Sequence, residues 1–188
     1  MGSLEFHIFV NINLNIPAMK ISLCLIIFSL LAGFSVQAQE MNRKIIDDRY
    51  DKEILIGYCD RDGLQDGEFG EYFNREYKGY SPDSKLIKKL RKQKKDYTIV
   101  VVMGTWCGDS QEQVPRFYRI LDEAGIKDKS MKVICVDGQK SGRDVSLENY
   151  DIERVPTFIF YRNDKEIGRI IESPELSLEE DFYDIVIM

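Results

Sequence analysis

The residues of this chain with the clearest capacity for chemistry stand together in Trp106-Cys107-Gly108-Asp109-Ser110. Cys107 follows an apolar, β-branched run, Thr98 to Met103, which Gly104 and Thr105 interrupt. Behind it, Gln111 to Glu123 carries a helical pattern. The cysteine is thereby expected at an exposed mouth between a buried strand and a helix N-terminus. Free backbone N–H groups and the positive end of the helix dipole stabilise a thiolate there. Ser110 can donate a hydrogen bond to that sulfur, whereas Asp109 adds a negative charge that works against the thiolate.

The elements that must hold this site can be read on either side of it. Glu40 to Lys52 is polar and reads as a loose lead-in or a short first helix. Glu53 to Tyr58 reads as a first strand, with Cys59 at its end. Asp60 to Tyr80 is rich in Gly, Asp and aromatics (Phe69, Tyr72, Phe73, Tyr77 and Tyr80). These read as a packed cover over a sheet, with a peptide-binding surface as the alternative. Ser81-Pro82-Asp83 reads as a helix start, and Leu86, Ile87 and Leu90 mark an apolar stripe continuing to Lys95. The lysines and arginine on its other side form a solvated cationic face, or else a patch for an acidic partner or membrane surface. After the central strand, Glu112 to Gly125 is a helix with Gly125 as its stop. Met131 to Asp137 is a strand in which Cys135 reads as a buried, inert thiol. A short helix over Asp144 to Tyr150 leads to Val155-Pro156. Thr157 to Tyr161, the turn Asn163-Asp164 and Glu166 to Ile171 form a hairpin, and Leu176 to Val186 is a closing helix.

The stretch around Cys107 resembles the active site of the thioredoxin family, which carries Trp-Cys-Gly-Pro-Cys between a strand and a helix. Pro115, eight residues after Cys107, stands where family members carry the proline that kinks this helix. Val155-Pro156-Thr157-Phe158 resembles the family's second landmark, a cis-proline before a strand whose backbone lies against the reactive sulfur. The resemblance covers about residues 53–188. It implies an α/β thioredoxin fold, with a central mixed sheet flanked by helices on both faces. It also implies a substrate groove from Trp106, Gly108, Asp109, Val155 and Pro156, with Cys107 and Ser110 at the chemical centre. Three positions depart from the family pattern: Asp109 replaces its proline, Ser110 its second cysteine, and Val101 its buried acid six places before the nucleophile.

A thiolate attacks a disulfide and forms a mixed disulfide. A serine hydroxyl cannot resolve that species, so the resemblance implies a monothiol oxidoreductase or isomerase acting on protein or peptide thiols and disulfides. An external thiol reductant, or Cys59 as a second thiol, would complete the cycle. The alternative is a redox-inactive protein that keeps the groove for extended peptides. Cys-Gly-Asp-Ser also resembles the Cys-Gly-Phe-Ser of monothiol glutaredoxins, which hold an iron–sulfur cluster. The expected export and the adjacent tryptophan argue against it, and no cofactor is expected.

Ile21 to Val36 is an apolar run behind Lys20, ending in the small-residue pattern Val36-Gln37-Ala38. It reads as a secretory signal cleaved after Ala38, in front of a domain over 39–188. Sixteen residues are short for a membrane span, which takes about twenty. Contact with a membrane is therefore expected only through an uncleaved signal. Met1 to Ala18 reads as an upstream extension. The expected location is the periplasm or the exterior. Cleavage removes the one histidine, His7, which excludes Ser-His-Asp, Cys-His and histidine–metal chemistry from the mature chain. It also leaves three cysteines, an odd number that flags at least one free thiol or an intermolecular bridge. No metal is expected, because the run from Asp60 to Glu68 misplaces its glycine for a calcium loop. A net charge of -6 argues against nucleic acid.

Overall fold

A six-stranded sheet organises residues 40–188, which the computed structural model describes. Its strands are β1 (Arg43–Asp47), β2 (Lys52–Cys59), β3 (Thr98–Met103), β4 (Met131–Cys135), β5 (Thr157–Arg162) and β6 (Lys165–Ile171). They lie in the order β1-β2-β4-β3-β5-β6. β3 pairs parallel with β4 and antiparallel with β5, so the sheet is mixed. The apolar run of β3 serves both faces of the sheet. Ile99, Val101 and Met103 enter one core, and Val100 and Val102 enter the other. This two-sided burial is why the strand is apolar throughout rather than alternating.

The larger core holds the helices α1 (Arg61–Leu64), α2 (Gly67–Gly79), α3 (Ser84–Lys92), α4 (Gly108–Ala124) and α5 (Leu178–Ile187). Phe117 of α4 stacks at a tilt on Phe158 of β5 and Phe182 of α5, with ring centroids 4.7 and 5.3 Å apart. This aromatic cluster ties the helix behind Cys107 to the sheet. Gly125 ends α4 in the left-handed conformation, with φ 65°. Arg91 and Lys95, from the cationic run, are partly structural. Arg91 donates to Glu123 O, and Lys95 to the carbonyls of Ala124 and Gly125, at the negative end of α4.

Several expectations need correction. Residues 43–47 form an edge strand, not a loose lead-in or helix. Ile45 pairs with Ile54, and the charged Arg43 and Lys44 suit a half-exposed sheet edge. Residues 60–80 do pack most of their aromatics as a cover over the sheet, as expected, and they are largely helical, because Phe69 and Phe73 fall one turn apart and share one buried face. Asp83, not Ser81, caps α3, accepting from the backbone N–H of Lys85 and Leu86, and that helix ends at Lys92. No helix covers Asp144 to Tyr150. Arg143 and Asp151 on either side have positive φ, and the seven residues between them are too few to sustain a helix without packing. Turns cover the second face instead, and Val145, Leu147, Tyr150 and Ile152 pack there beside Trp106 and Cys107. Among the described residues, no helix is long and apolar enough to cross a membrane. The signal read over residues 1–38 lies outside the described residues.

Candidate functional site

The site forms where β3 ends. Met103 is the last strand residue, and the chain turns through Gly104, Thr105 and Trp106 before Cys107 starts α4. The turn is closed by the Cys107 N–H donating to Gly104 O at 3.0 Å, and α4 begins with Gln111 N donating to Cys107 O at 2.9 Å. Two side chains brace the loop. Thr105 Oγ1 accepts from Leu55 N of β2 at 3.2 Å, and Gln111 Nε2 donates back to Thr105 O at 2.9 Å.

Cys107 is the N-cap of α4, with extended backbone dihedrals and no capping bond from its own side chain. Its sulfur is half-buried and lies 3.2 Å from Val155 O, to which the thiol donates. The Val155–Pro156 peptide bond is cis. Pro156 O is occupied by Glu172 N at 2.7 Å, which seats this loop against the end of β6. Gly108 and Asp109 are exposed at the rim. Trp106, Cys107, Gly108 and Asp109 therefore share one lip, and Val155 meets the sulfur from the opposite side.

Ser110 is fully buried below this lip, and its Oγ accepts from Gly104 N at 3.3 Å. In this arrangement the hydroxyl braces the strand–helix turn rather than bonding to the sulfur. Val101, at the position of the family's buried acid, is fully buried in apolar surroundings.

Cys59 is not brought to Cys107. It pairs in register with Val133 on β4, and Val133 pairs with Val101 on β3. Two ladder spacings of about 4.8 Å each already exceed the roughly 7 Å between bridged Cα atoms. The remaining length of β3 adds to that separation. Cys59 and Cys135 instead lie diagonally across β2 and β4 in the helix-covered core, and both are free thiols. Contact with the Cys59 thiol, together with complete burial, pushes the Cys135 thiol up. Both belong to the core and take no part in the site.

The residues that sequence reasoning missed surround Trp106. Its Nε1 donates to Val136 O at 2.9 Å, and its ring stacks on Tyr50 with centroids 4.8 Å apart and planes 18° apart. Gly104 makes room for the indole, since a Cβ there would lie 2.6 Å from ring atoms Cε2 and Nε1. A cavity of about 80 Å³ adjoins Trp106, lined also by Leu55, Phe69, Tyr72, Thr105 and Gln111. The one local signal for the Tyr50 turn is Asp47, two and three residues ahead of Arg49 and Tyr50. That spacing suits an aspartate side chain bonding the following backbone. No group of three or more His, Cys, Asp or Glu side chains among the described residues is placed to hold a metal ion.

Comparison with known proteins gives the family of the chain that carries this site. Residues 65–180 match the family described as thioredoxin, and the chain belongs to that family. Among its relatives is the chloroplastic thioredoxin Y of rice, Oryza sativa subsp. japonica. It is 32% identical over 91 residues, covering 48% of this chain and 48% of the relative. Thioredoxin H9 of Arabidopsis thaliana is 29% identical over 100 residues, covering 52% of this chain and 67% of the relative. The chain thus spans about half the length of the first relative. Among solved structures, a protein of unknown function from Pseudomonas aeruginosa aligns with a TM-score of 0.44 at 14% identity, over 63% of this chain and 79% of that one. Trxlp from Edwardsiella tarda aligns at 0.36 and 18% identity, over 56% and 94%.

Proposed function

We propose that this protein is an exported, monothiol member of the thioredoxin family that exchanges thiols and disulfides through Cys107. The observation that carries this reading is the placement of the Cys107 sulfur. It sits half-exposed at the N-terminus of a 17-residue helix, between the Trp106 lip and Val155. In the proposed step, the Cys107 thiolate attacks one sulfur of a protein or peptide disulfide. A new S–S bond forms to Cys107, the substrate S–S bond breaks, and the departing sulfur leaves as a thiolate that takes a proton. With Ser110 in place of a second thiol and Cys59 held in the core, resolution falls to an external thiol. That thiol attacks the mixed disulfide and returns Cys107 to the reduced state. Isomerisation needs nothing more, because the substrate's own second thiol serves as that attacker.

Export is part of the proposal and rests on the leader pattern of residues 21–38. Its check is the N-terminus of the mature product, expected at Gln39. Exchange is tested by incubating the reduced chain with a peptide disulfide and reading the intact mass. A single adduct on Cys107 is expected, absent in Cys107→Ser and reversed by an added thiol. A wild-type protein that acquires no adduct would contradict the assignment.

A second reading is favoured by one contact. The bond from Cys107 to Val155 O exists only for the protonated thiol. A sulfur that keeps this proton would leave the groove as a redox-inactive binding site for extended peptides. In that case peptides bind equally to wild type and Cys107→Ser, with no covalent adduct.

A further inference from the structure

The turn between β1 and β2 has no part in the function proposed above, yet it is built into the site. The Tyr50 ring lies against the Trp106 indole, 4.8 Å away and nearly parallel. The indole is therefore held by a stack and by its Nε1 bond to Val136 O. The turn that presents Tyr50 is anchored by Asp47, which is only 3% exposed. Its Oδ1 accepts from Arg49 N at 2.9 Å and Tyr50 N at 3.1 Å, and its Oδ2 accepts from Gly138 N at 2.9 Å. Arg49 Nη1 donates to Gly138 O at 2.8 Å, so both polar groups of that peptide are bound to the turn. Gly138 is also shaped to receive it. A Cβ there would lie 2.8 Å from Tyr50 Cε2 and 3.0 Å from Arg49 Cδ. A simple surface connection between two strands requires none of these contacts.

We propose that Tyr50 is a positioning residue of the Cys107 site. It fixes the Trp106 indole as a rigid wall beside the sulfur, against which the backbone of a protein or peptide disulfide aligns. The anchor from Asp47 to Gly138 transmits the rigidity of the sheet edge to this wall. Tyr50 touches neither the sulfur nor the expected path of the reacting atoms, so it governs how a large substrate docks rather than how the thiol reacts. The proposal rests on the thiol–disulfide reading of Cys107.

Trp106 is the only tryptophan in the chain, so the indole emission comes from this site alone. In the wild type, its anisotropy decay should follow the tumbling of the whole domain, with no faster component. Tyr50→Leu, which fills the space without an aromatic face, should add a fast component and shift the emission to the red. It should lower the second-order rate of Cys107 exchange with a peptide disulfide about fivefold, the worth of one stacked aromatic pair. Alkylation of Cys107 by iodoacetamide, which needs no docking wall, should be unchanged. Tyr50→Phe should restore both fluorescence and exchange. An indole that is mobile in the wild type overturns the proposal without any variant. So does a Tyr50→Leu protein with unchanged emission and exchange, or a Tyr50→Phe protein that is not rescued. If wild-type Cys107 exchanges with no disulfide, the redox reading fails and the docking role fails with it. If the wild type exchanges and the leucine variant matches it, the Tyr50 role alone fails.

Discussion

At the scale of single residues, the site is defined by what lies within a few ångströms of Trp106 and Cys107. Both were legible in the sequence, because a cysteine between an apolar strand and a helical pattern has few other places to go. Val155-Pro156 was legible by its resemblance to a family landmark. Tyr50 and Gly138 were not, since their contact joins positions 88 residues apart and neither residue type marks it. Gly104 was read only as a strand breaker, yet its missing side chain is what admits the indole. Gly104→Ala should force the ring away from its bond to Val136 O. The expected cost is about 1–3 kcal/mol of stability, typical of overpacking a filled site. It should appear as a lower urea midpoint with a red-shifted Trp106 emission. An unchanged midpoint and spectrum would show that the ring is not held against Gly104.

At the scale of elements, the central strand, α4 and the β5–β6 hairpin followed from apolar runs and turn chemistry. Asn163 and Asp164 both take positive φ, as a two-residue hairpin turn demands. β1 was hidden because a five-residue edge strand with three charged residues carries no alternation strong enough to read. The helices of residues 61–79 were not assigned from the sequence, although the spacing of Phe69 and Phe73 there is helical. The anchor of β1 predicts a pH effect. Burial alone would raise the Asp47 carboxyl, but the N–H groups of Gly138, Arg49 and Tyr50 and the positive charge of Arg143 outweigh it, leaving it below the ordinary range. Its folded pKa is therefore lower than its unfolded one. The stabilisation is complete above the unfolded value of about 3.9 and is lost as the pH falls from there through the folded value. Asp47→Asn should cost about 1–3 kcal/mol at pH 7. Urea titrations of the two proteins should converge as the pH drops below about 4. Parallel pH profiles would show that this carboxylate does not hold the turn.

At the scale of the whole molecule, one sheet separates two chemistries. The helix-covered face keeps Cys59 and Cys135 in a packed apolar core, while the turn-covered face carries Cys107 at its upper edge. The parity of cysteines in the sequence pointed to at least one free thiol or an intermolecular bridge, and all three described cysteines are free. Strand register keeps Cys59 from pairing with Cys107, because β4 stands between Cys59 and the strand leading to Cys107. The thioredoxin fold was legible from the order of the elements around one motif. The loop that replaces a helix over the second face was not, because whether seven residues form a helix depends on packing that only the folded chain supplies.

The central claim is that Cys107 is a thiol placed to react. Peptide-resolved alkylation of the native chain from Gln39 onward, compared with the denatured chain, tests it most directly. Cys107 should label first and alone, and to completion, while the fold is intact. Cys59 and Cys135 should label only after denaturation. If Cys107 resists labelling until the chain is denatured, or if Cys59 labels alongside it in the native chain, the account of the site is contradicted.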